Sequence, residues 1–517
     1  MAMTETRPAP QSDVALAAAP APEEPAGLAG WLSTSDHKRV GRMWLATSLL
    51  FLFVAAILRE LLAVERLNSG ADLLTDGTFF QVFTLHSEAL ALLVVVPFFV
   101  GLATYLVPLQ VGSPELAFPR GAAVAYWGYV VSAVVLVAAY LADGGITGTT
   151  AASVDLYLLG LIALALSLSV GAACVVTTAL TMRAPGMTLL RAPLFTWSAV
   201  VGGGLLLLQL PILVADLIEL LIPARYAGDV GSYGDIAWVW GVPAIYGLVV
   251  IAAGVLLEVV PAMVGRPLRM HLAGVVVLGL LGLFGIGGWL LDPTAFDDLL
   301  YVAMGLAAVV PALALLGILG DTVLGGSPSL KAPLVLAMAS AILLFLGAAA
   351  GAVQVIEPLE LAGTAWESGH AQLVLFGGAG LAAFAALWFW APKIWGVHLS
   401  EAAGFAVAAL VLGGAILTAG PDLVAGAADD LPMGALEFEE TDLVSVTGGI
   451  GVAGAALGAL GVLVGVGAAL AAGTRRRDRP PVSDAPWGGV GLEWTTTSPP
   501  PAHNFEEQPV LRVERAP

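Results

Sequence analysis

Residues 84–112 read "TLHSEALALLVVVPFFVGLATYLVPLQVG". From 84 to 107 the stretch is almost wholly apolar. As a helix it is long enough to cross the hydrocarbon core of a bilayer, which takes about 20 residues. Eleven comparable runs accompany it, near 44–65, 122–142, 155–182, 195–222, 238–263, 269–291, 299–320, 332–357, 370–392, 399–419 and 446–473. Hydrophobic residues make up 58% of the chain and charged residues 11%, against roughly 25% charged in soluble domains. A soluble enzyme is excluded. The expected fold is an all-α integral membrane protein, a bundle of twelve transmembrane helices.

The rest of the chain is organised around that bundle. Residues 1–30 are Ala- and Pro-rich, with no secretory-type basic start and apolar core, and read as a disordered cytoplasmic tail. The membrane domain spans 31–475. Residues 476–517 form a Pro- and Ser-rich cytoplasmic tail expected to make no packed unit. Basic side chains stay on the cytoplasmic side of a membrane. With the N-terminus inside, the inward loops hold Lys38, Arg39, Arg42, Arg120, Arg183, Arg191, Arg266, Arg269, Lys331 and Lys393, and the C-terminal flank adds Arg475, Arg476, Arg477 and Arg479. The outward side has Arg66 and Arg225. Both termini are therefore expected in the cytoplasm of a prokaryote, with the chain in its plasma membrane.

The net charge is −19, supplied largely by outward segments such as "DLPMGALEFEETD", "DPTAFDD" and "EPLEL". A negative outer face would steer a basic soluble partner, such as an electron carrier; it equally suits adaptation to high salt or a merely solubilised surface. Nucleic acid is not an expected partner. The single cysteine, Cys174, allows no internal disulfide and reads as a small packing residue.

Ionisable and ligating groups inside spans are costly and so are functional candidates. They are few: Arg59 and Glu60 late in the first span, His86 opening the second, Glu258 in the sixth and His370 opening the tenth. His37, His271, His398 and His503 fall at loops or span ends, where solvated or interfacial roles suffice. Two membrane-embedded histidines on different helices suggest haem or metal ligation; packed core histidines explain them as well.

Six segments in order carry a resemblance. They are "WLSTSDHKRVG" (31–41), "GLATYLVPLQVGSPELAFPR" (101–120), "SVDLYLLGL" (153–161), "MRAPGMTLLRAPLFTWS" (182–198), "WFWAPKIWG" (388–396) and "LEWTTTSPPPAHNFEE" (492–507). From about 31 to 506 the chain resembles subunit I of the haem-copper oxygen reductases, the cytochrome c oxidase type. The resemblance implies that family's twelve-helix fold, two haems and a copper, respiratory-chain partners resembling subunits II and III, and electron transport to oxygen.

Carried over position by position, the implied sites are incomplete. The first low-spin haem ligand matches His86. The family's His-x-His pair on the tenth span matches His370, the high-spin ligand, and Gln372 in place of the second low-spin histidine. Positions 370 and 372 are about 200° apart on a helix, so one cannot stand in for the other. The copper ligands match Val242, Leu291 and Asp292; valine and leucine offer no lone pair, and no copper is expected. The glutamate proton relay matches Ala244, and only the tyrosine of that motif remains, as Tyr246. The lysine of one proton channel matches Leu315. The acidic gate of the other matches Glu115, but its onward asparagines become apolar or small in "RGAAVAYW", which gives water no polar partners. The arginine pair for haem propionates aligns with "DLPMG" (430–434), and the outer magnesium pair with Ala362 and Gly363.

What persists is Arg59, whose counterpart contacts the low-spin haem, with His86, His370, Tyr246 and Glu115. Either these retain a single five-coordinate haem, or they are relics packed among apolar neighbours. Three functional readings follow: a non-catalytic scaffold subunit of a respiratory membrane complex, a single-haem electron-transfer subunit, or a working terminal oxidase. The first is the expectation, because function is decided at the site and not by the fold. The small-residue face of the last span, "GGIGVAGAALGALGVLVGVGAALAAG", allows close helix contact and names no partner.

Overall fold

A computed structural model describes residues 27–70, 73–226, 232–290, 299–431, 433–439, 441–474 and 482–511. The predicted N-terminal tail up to residue 26, Leu291, Asp292 and the arginines at 475–479 lie outside the described residues. A short helix, Gly27–Leu32, precedes the bundle.

Twelve long helices follow: α1 His37–Glu65, α2 Asp76–Val111, α3 Pro119–Leu141, α4 Ala151–Thr181, α5 Leu194–Tyr226, α6 Ala244–Val264, α7 His271–Leu290, α8 Leu299–Gly325, α9 Ala332–Gln354, α10 Ala365–Trp395, α11 Glu401–Gly426 and α12 Asp442–Thr474. Among the described residues, eleven of these, taking α6 with the turns before it, are long and apolar enough to span a membrane, and α7 is apolar over His271–Ile286. α8 is interrupted at Ala308. Side-chain oxygens of Asp36, Thr75, Thr150, Thr364 and Ser400 accept first-turn N–H groups and start α1, α2, α4, α10 and α11, as helix N-caps do.

α2, α6 and α10 are the interior helices, buried over most of their length. All three end on the same sequence device, Pro-x-x-x-Gly: Pro108 to Gly112, Pro261 to Gly265, and Pro392 to Gly396. The glycines sit at φ +75, +63 and +70 and stop each helix in the left-handed region, which glycine enters without steric cost. Proline has no N–H, so it releases the carbonyl four residues earlier. Pro108 thus frees the Thr104 carbonyl, and His37 Nδ1 takes it at 3.0 Å.

That contact belongs to a latch at this end of the bundle, and it corrects two expectations. His37 is buried, not interfacial, with its Nε2 at 3.0 Å from Asn504 Oδ1. The C-terminal segment is packed, not loose: residues 482–511 lie across the ends of α1, α2 and α10 and the loop between α4 and α5. Asn504 accepts from Lys38 Nζ at 3.2 Å and donates to the Ser113 carbonyl at 2.8 Å. Lys38 Nζ also donates to the Ala502 carbonyl at 2.9 Å. Lys393, fully buried in α10, donates to the Thr496 and Thr497 carbonyls at 2.7 and 3.2 Å and lies over the Trp494 ring. Gln110 Nε2 donates to Glu493 Oε1 at 3.1 Å, and Leu511 N–H to the Pro185 carbonyl at 2.9 Å. Trp487 donates to the Phe389 carbonyl and meets His398 edge-on. His271 and His503 are exposed.

Candidate functional site

α2 and α10 face each other across the interior, and both widen there. The turns from Ala89 to Val95 in α2 and from Gln372 to Ala379 in α10 are π-helical, a local distortion common at functional sites. Between them and α1, α11 and α12 runs a slot of three neighbouring cavities. The central one is lined by Arg59, His86, Gln372, Phe376 and Thr418 among small alanines. It shares Leu90 with an apolar cavity between Ser48 and Ala383. It shares Arg59 with a polar one bounded by Arg66, Asp422, Asp430 and Thr447.

His86 stands on the slot wall. Its Nδ1 lies 3.1 Å from the Ala55 carbonyl, which places the ring proton there and leaves Nε2 with its lone pair. That is the tautomer of a metal-ligating imidazole. Opposite is Gln372, whose amide offers only a carbonyl oxygen or an N–H group. A haem in this slot would take one nitrogen ligand, from His86, and no second nitrogen ligand faces His86 among the described residues lining it.

The high-spin position is different. His370 and Gln372 point to different walls, and His370 Nε2 lies 3.3 Å from the Tyr246 hydroxyl. Tyr246 donates to the Gly347 carbonyl at 3.2 Å. Gly351 completes the closure, because a Cβ there would sit 2.8 Å from His370 Nε2 and 2.9 Å from Tyr246 Oη. A macrocycle on His370 would need the space in front of Nε2, which the tyrosine holds at hydrogen-bond distance. The residues present do not fit a haem there.

Val242 clusters with Tyr301 and Val355; Ala244 and Leu315 are buried. Glu115 is exposed on the loop after α2, where the Ser113 hydroxyl donates to its carbonyl. Ala362 and Gly363 lie in the turn before α10, with the Gly363 N–H on Glu367. Glu258 receives the Phe195 N–H at 3.2 Å, near the start of α5. Cys174 is buried beside Gly121.

Arg59 is not free for a haem substituent. Its Nη2 pairs with Asp422 at 3.0 Å and its Nη1 approaches Met433 Sδ at 2.7 Å. Arg66 pairs with Asp430 at 3.5 Å. The stretch expected to contribute an arginine pair thus contributes a carboxylate, and Arg59 and Arg66 are neutralised by the chain itself. At the latch, burial holds the Glu493 carboxyl above its ordinary 4.5, against the pull of Gln110 and Lys393.

Residues 39–459 match the family described as Cytochrome C and Quinol oxidase polypeptide I. The chain belongs to that family. It is 27% identical to a putative cytochrome c oxidase subunit 1-beta of Streptomyces avermitilis, over 94% of this chain and 91% of that one. It is 28% identical to cytochrome c oxidase subunit 1 of Corynebacterium diphtheriae, over 95% and 92%. A heme-copper oxidase subunit I+III of Aeropyrum pernix matches at 27% over 94% of this chain and 62% of its own length. Among solved structures, a heme-copper terminal oxidase dimer superposes with a TM-score of 0.69 at 17% identity, covering 86% of this chain and 85% of that one. This is therefore a multi-pass subunit-I-type membrane protein.

One group escaped the sequence reading. Glu88, two residues after His86, is buried and bonded to Tyr140 and Tyr157. The signal was present, a carboxylate inside the quoted apolar run, but its partners lie 52 and 69 residues away.

Proposed function

We propose that this chain is a non-catalytic subunit I that has lost oxygen reduction and proton pumping and serves as a scaffold subunit of a respiratory membrane assembly. One observation carries the reading. Where oxygen chemistry in the family needs an iron and a copper between the tenth-span histidine and the sixth-span tyrosine, His370 and Tyr246 touch directly. Val242 and Ala244, with no metal-ligating or proton-relaying group, fill the adjoining motif. The partners are proteins resembling subunits II or III, with both termini cytoplasmic and the acidic face outward. The test is elemental analysis for copper and oxygen uptake on the purified chain with whatever accompanies it. Absent copper, no uptake and co-purification of such a partner are expected. Stoichiometric copper, uptake with an electron donor, or a solitary stable monomer overturns the reading.

A second reading rests on the His86 wall of the slot. His86 would hold a haem through Nε2, and the Ala55 carbonyl would orient the ring. Bound there, the group would supply one-electron transfer without oxygen chemistry. A Soret band that disappears in His86→Ala while the protein stays folded supports it; a colourless preparation eliminates it.

A further inference from the structure

We infer that the polar cavity at the end of the bundle away from the latch is a phospholipid headgroup site, built for a phosphate joined to a primary ammonium. Arg59 and Arg66 reach into it from the end of α1, Asp422 from α11 and Asp430 from the loop that follows. Gly451 faces it from α12.

The two arginines have more donors than the chain answers. A guanidinium carries five N–H groups and no acceptor. Arg59 is 5% exposed, and its partners are one oxygen of Asp422 and the Met433 thioether, the latter a weak acceptor. Arg66 reaches the Leu431 carbonyl at 3.3 Å and Asp430 at 3.5 Å. The Nε atoms of both arginines are buried with no hydrogen-bond partner among the described residues. Stranded buried donors are costly, and two around one cavity call for an anionic acceptor. A bare anion is the wrong occupant. Asp422 and Asp430 already balance the arginines, so its charge would be left unmatched. A ligand that carries its own cation keeps the cavity neutral, with its phosphate on the guanidinium Nε groups and its ammonium on the two carboxylates.

α12 leaves the room for it. Gly451 is buried, yet a Cβ built there would meet nothing within 4 Å; at Gly448 the nearest atom is the Arg66 carbonyl at 3.7 Å. The void is therefore open where an ordinary side chain would close it. The two helices on either side carry exposed apolar side chains, Val54 and Ile57 on α1 and Val446 and Ile450 on α12. In a bilayer these faces meet acyl chains, so the headgroup of a membrane lipid, not a free solute, is the source that matches the walls.

The test uses the full chain, delipidated in detergent and titrated with phosphatidylethanolamine, phosphatidylglycerol or free phosphoethanolamine. Native mass spectrometry and the melting midpoint are the readouts. A single tightly held phosphatidylethanolamine per chain is expected, with a raised midpoint, and phosphatidylglycerol should bind several-fold more weakly. Gly451→Leu fills the void with a good helix former and should abolish the bound lipid while the lipid-free midpoint holds. Arg66→Gln should weaken the lipid several-fold; if that variant does not fold, Gly451→Leu carries the test alone. A Gly451→Leu chain that fails to fold, or that keeps its lipid, overturns the proposal. So does phosphatidylglycerol held as tightly as phosphatidylethanolamine, or the absence of any bound lipid. Free phosphoethanolamine binding as tightly as the lipid also overturns it, by assigning the cavity to a soluble solute.

Discussion

The two ends of the α10 polypeptide meet opposite fates. At its Pro392–Gly396 end the family's signature residues are present and bonded: Lys393 holds two C-terminal carbonyls, while Asn504 joins His37, Lys38 and Ser113. At its Ala365 end His370 lies against Tyr246, and Gly351 closes over the pair. Fold-defining and chemistry-defining residues therefore separate in space. A latch of buried polar groups has to be kept whole, since each lost partner strands another. A metal site can be replaced by apolar packing, provided the charges around it are also compensated.

That compensation gives the largest expected effect. Arg59→Met strands Asp422 beside Arg66 and should cost about 3 kcal/mol in thermal or denaturant unfolding, because breaking a buried pair leaves an unmatched charge. Arg59→Met with Asp422→Leu should recover most of it. A double variant as unstable as the single would mean that the slot does not neutralise itself. On the latch side, Asn504→Leu removes partners from Lys38 and Ser113, and should cost about 2–3 kcal/mol and expose residues 482–511 to protease. An unchanged digestion pattern would break the contrast between the two ends.

Gly351→Ala asks whether the closed site is tightly closed. The added methyl meets His370 Nε2 and Tyr246 Oη inside 3 Å, so a loss of about 1–3 kcal/mol is expected in the melting midpoint. A neutral outcome would mean that the pair gives way easily.

The smallest effect is pH dependence at the latch. Glu493 has a folded value raised above 4.5 by burial. Its contribution is fully present below 4.5 and is lost as pH rises through the raised value. Amide exchange across residues 492–504 should quicken over that rise, and Glu493→Gln should flatten the trend.

Particular residues show how far the sequence could be read. The apolar spans were legible because a bilayer demands long apolar helices with internally satisfied backbones, and the break in α8 at Ala308 departs from the simple pattern. The replacements proposed at Val242, Ala244, Gln372 and Leu315 rest on matching the family's motifs to this sequence. His37 was misjudged because its partners are a carbonyl released by Pro108 and an amide 467 positions away. The C-terminal tail looked loose for the same reason: its composition is polar and Pro-rich, but its bonds are to groups on other helices. Glu88 was overlooked beside a histidine that the family motif explained.

By itself the sequence determined the membrane class, the succession of long apolar helices and the family, since each depends on residue type along a local run. Tertiary structure alone decided that Tyr246 closes on His370, that Asp422 and Asp430 answer Arg59 and Arg66, and that Glu88 sits in a cage of hydroxyls. Hydrogen bonds and ion pairs act over a few ångströms between groups scores to hundreds of residues apart, and only the folded bundle fixes which of them meet.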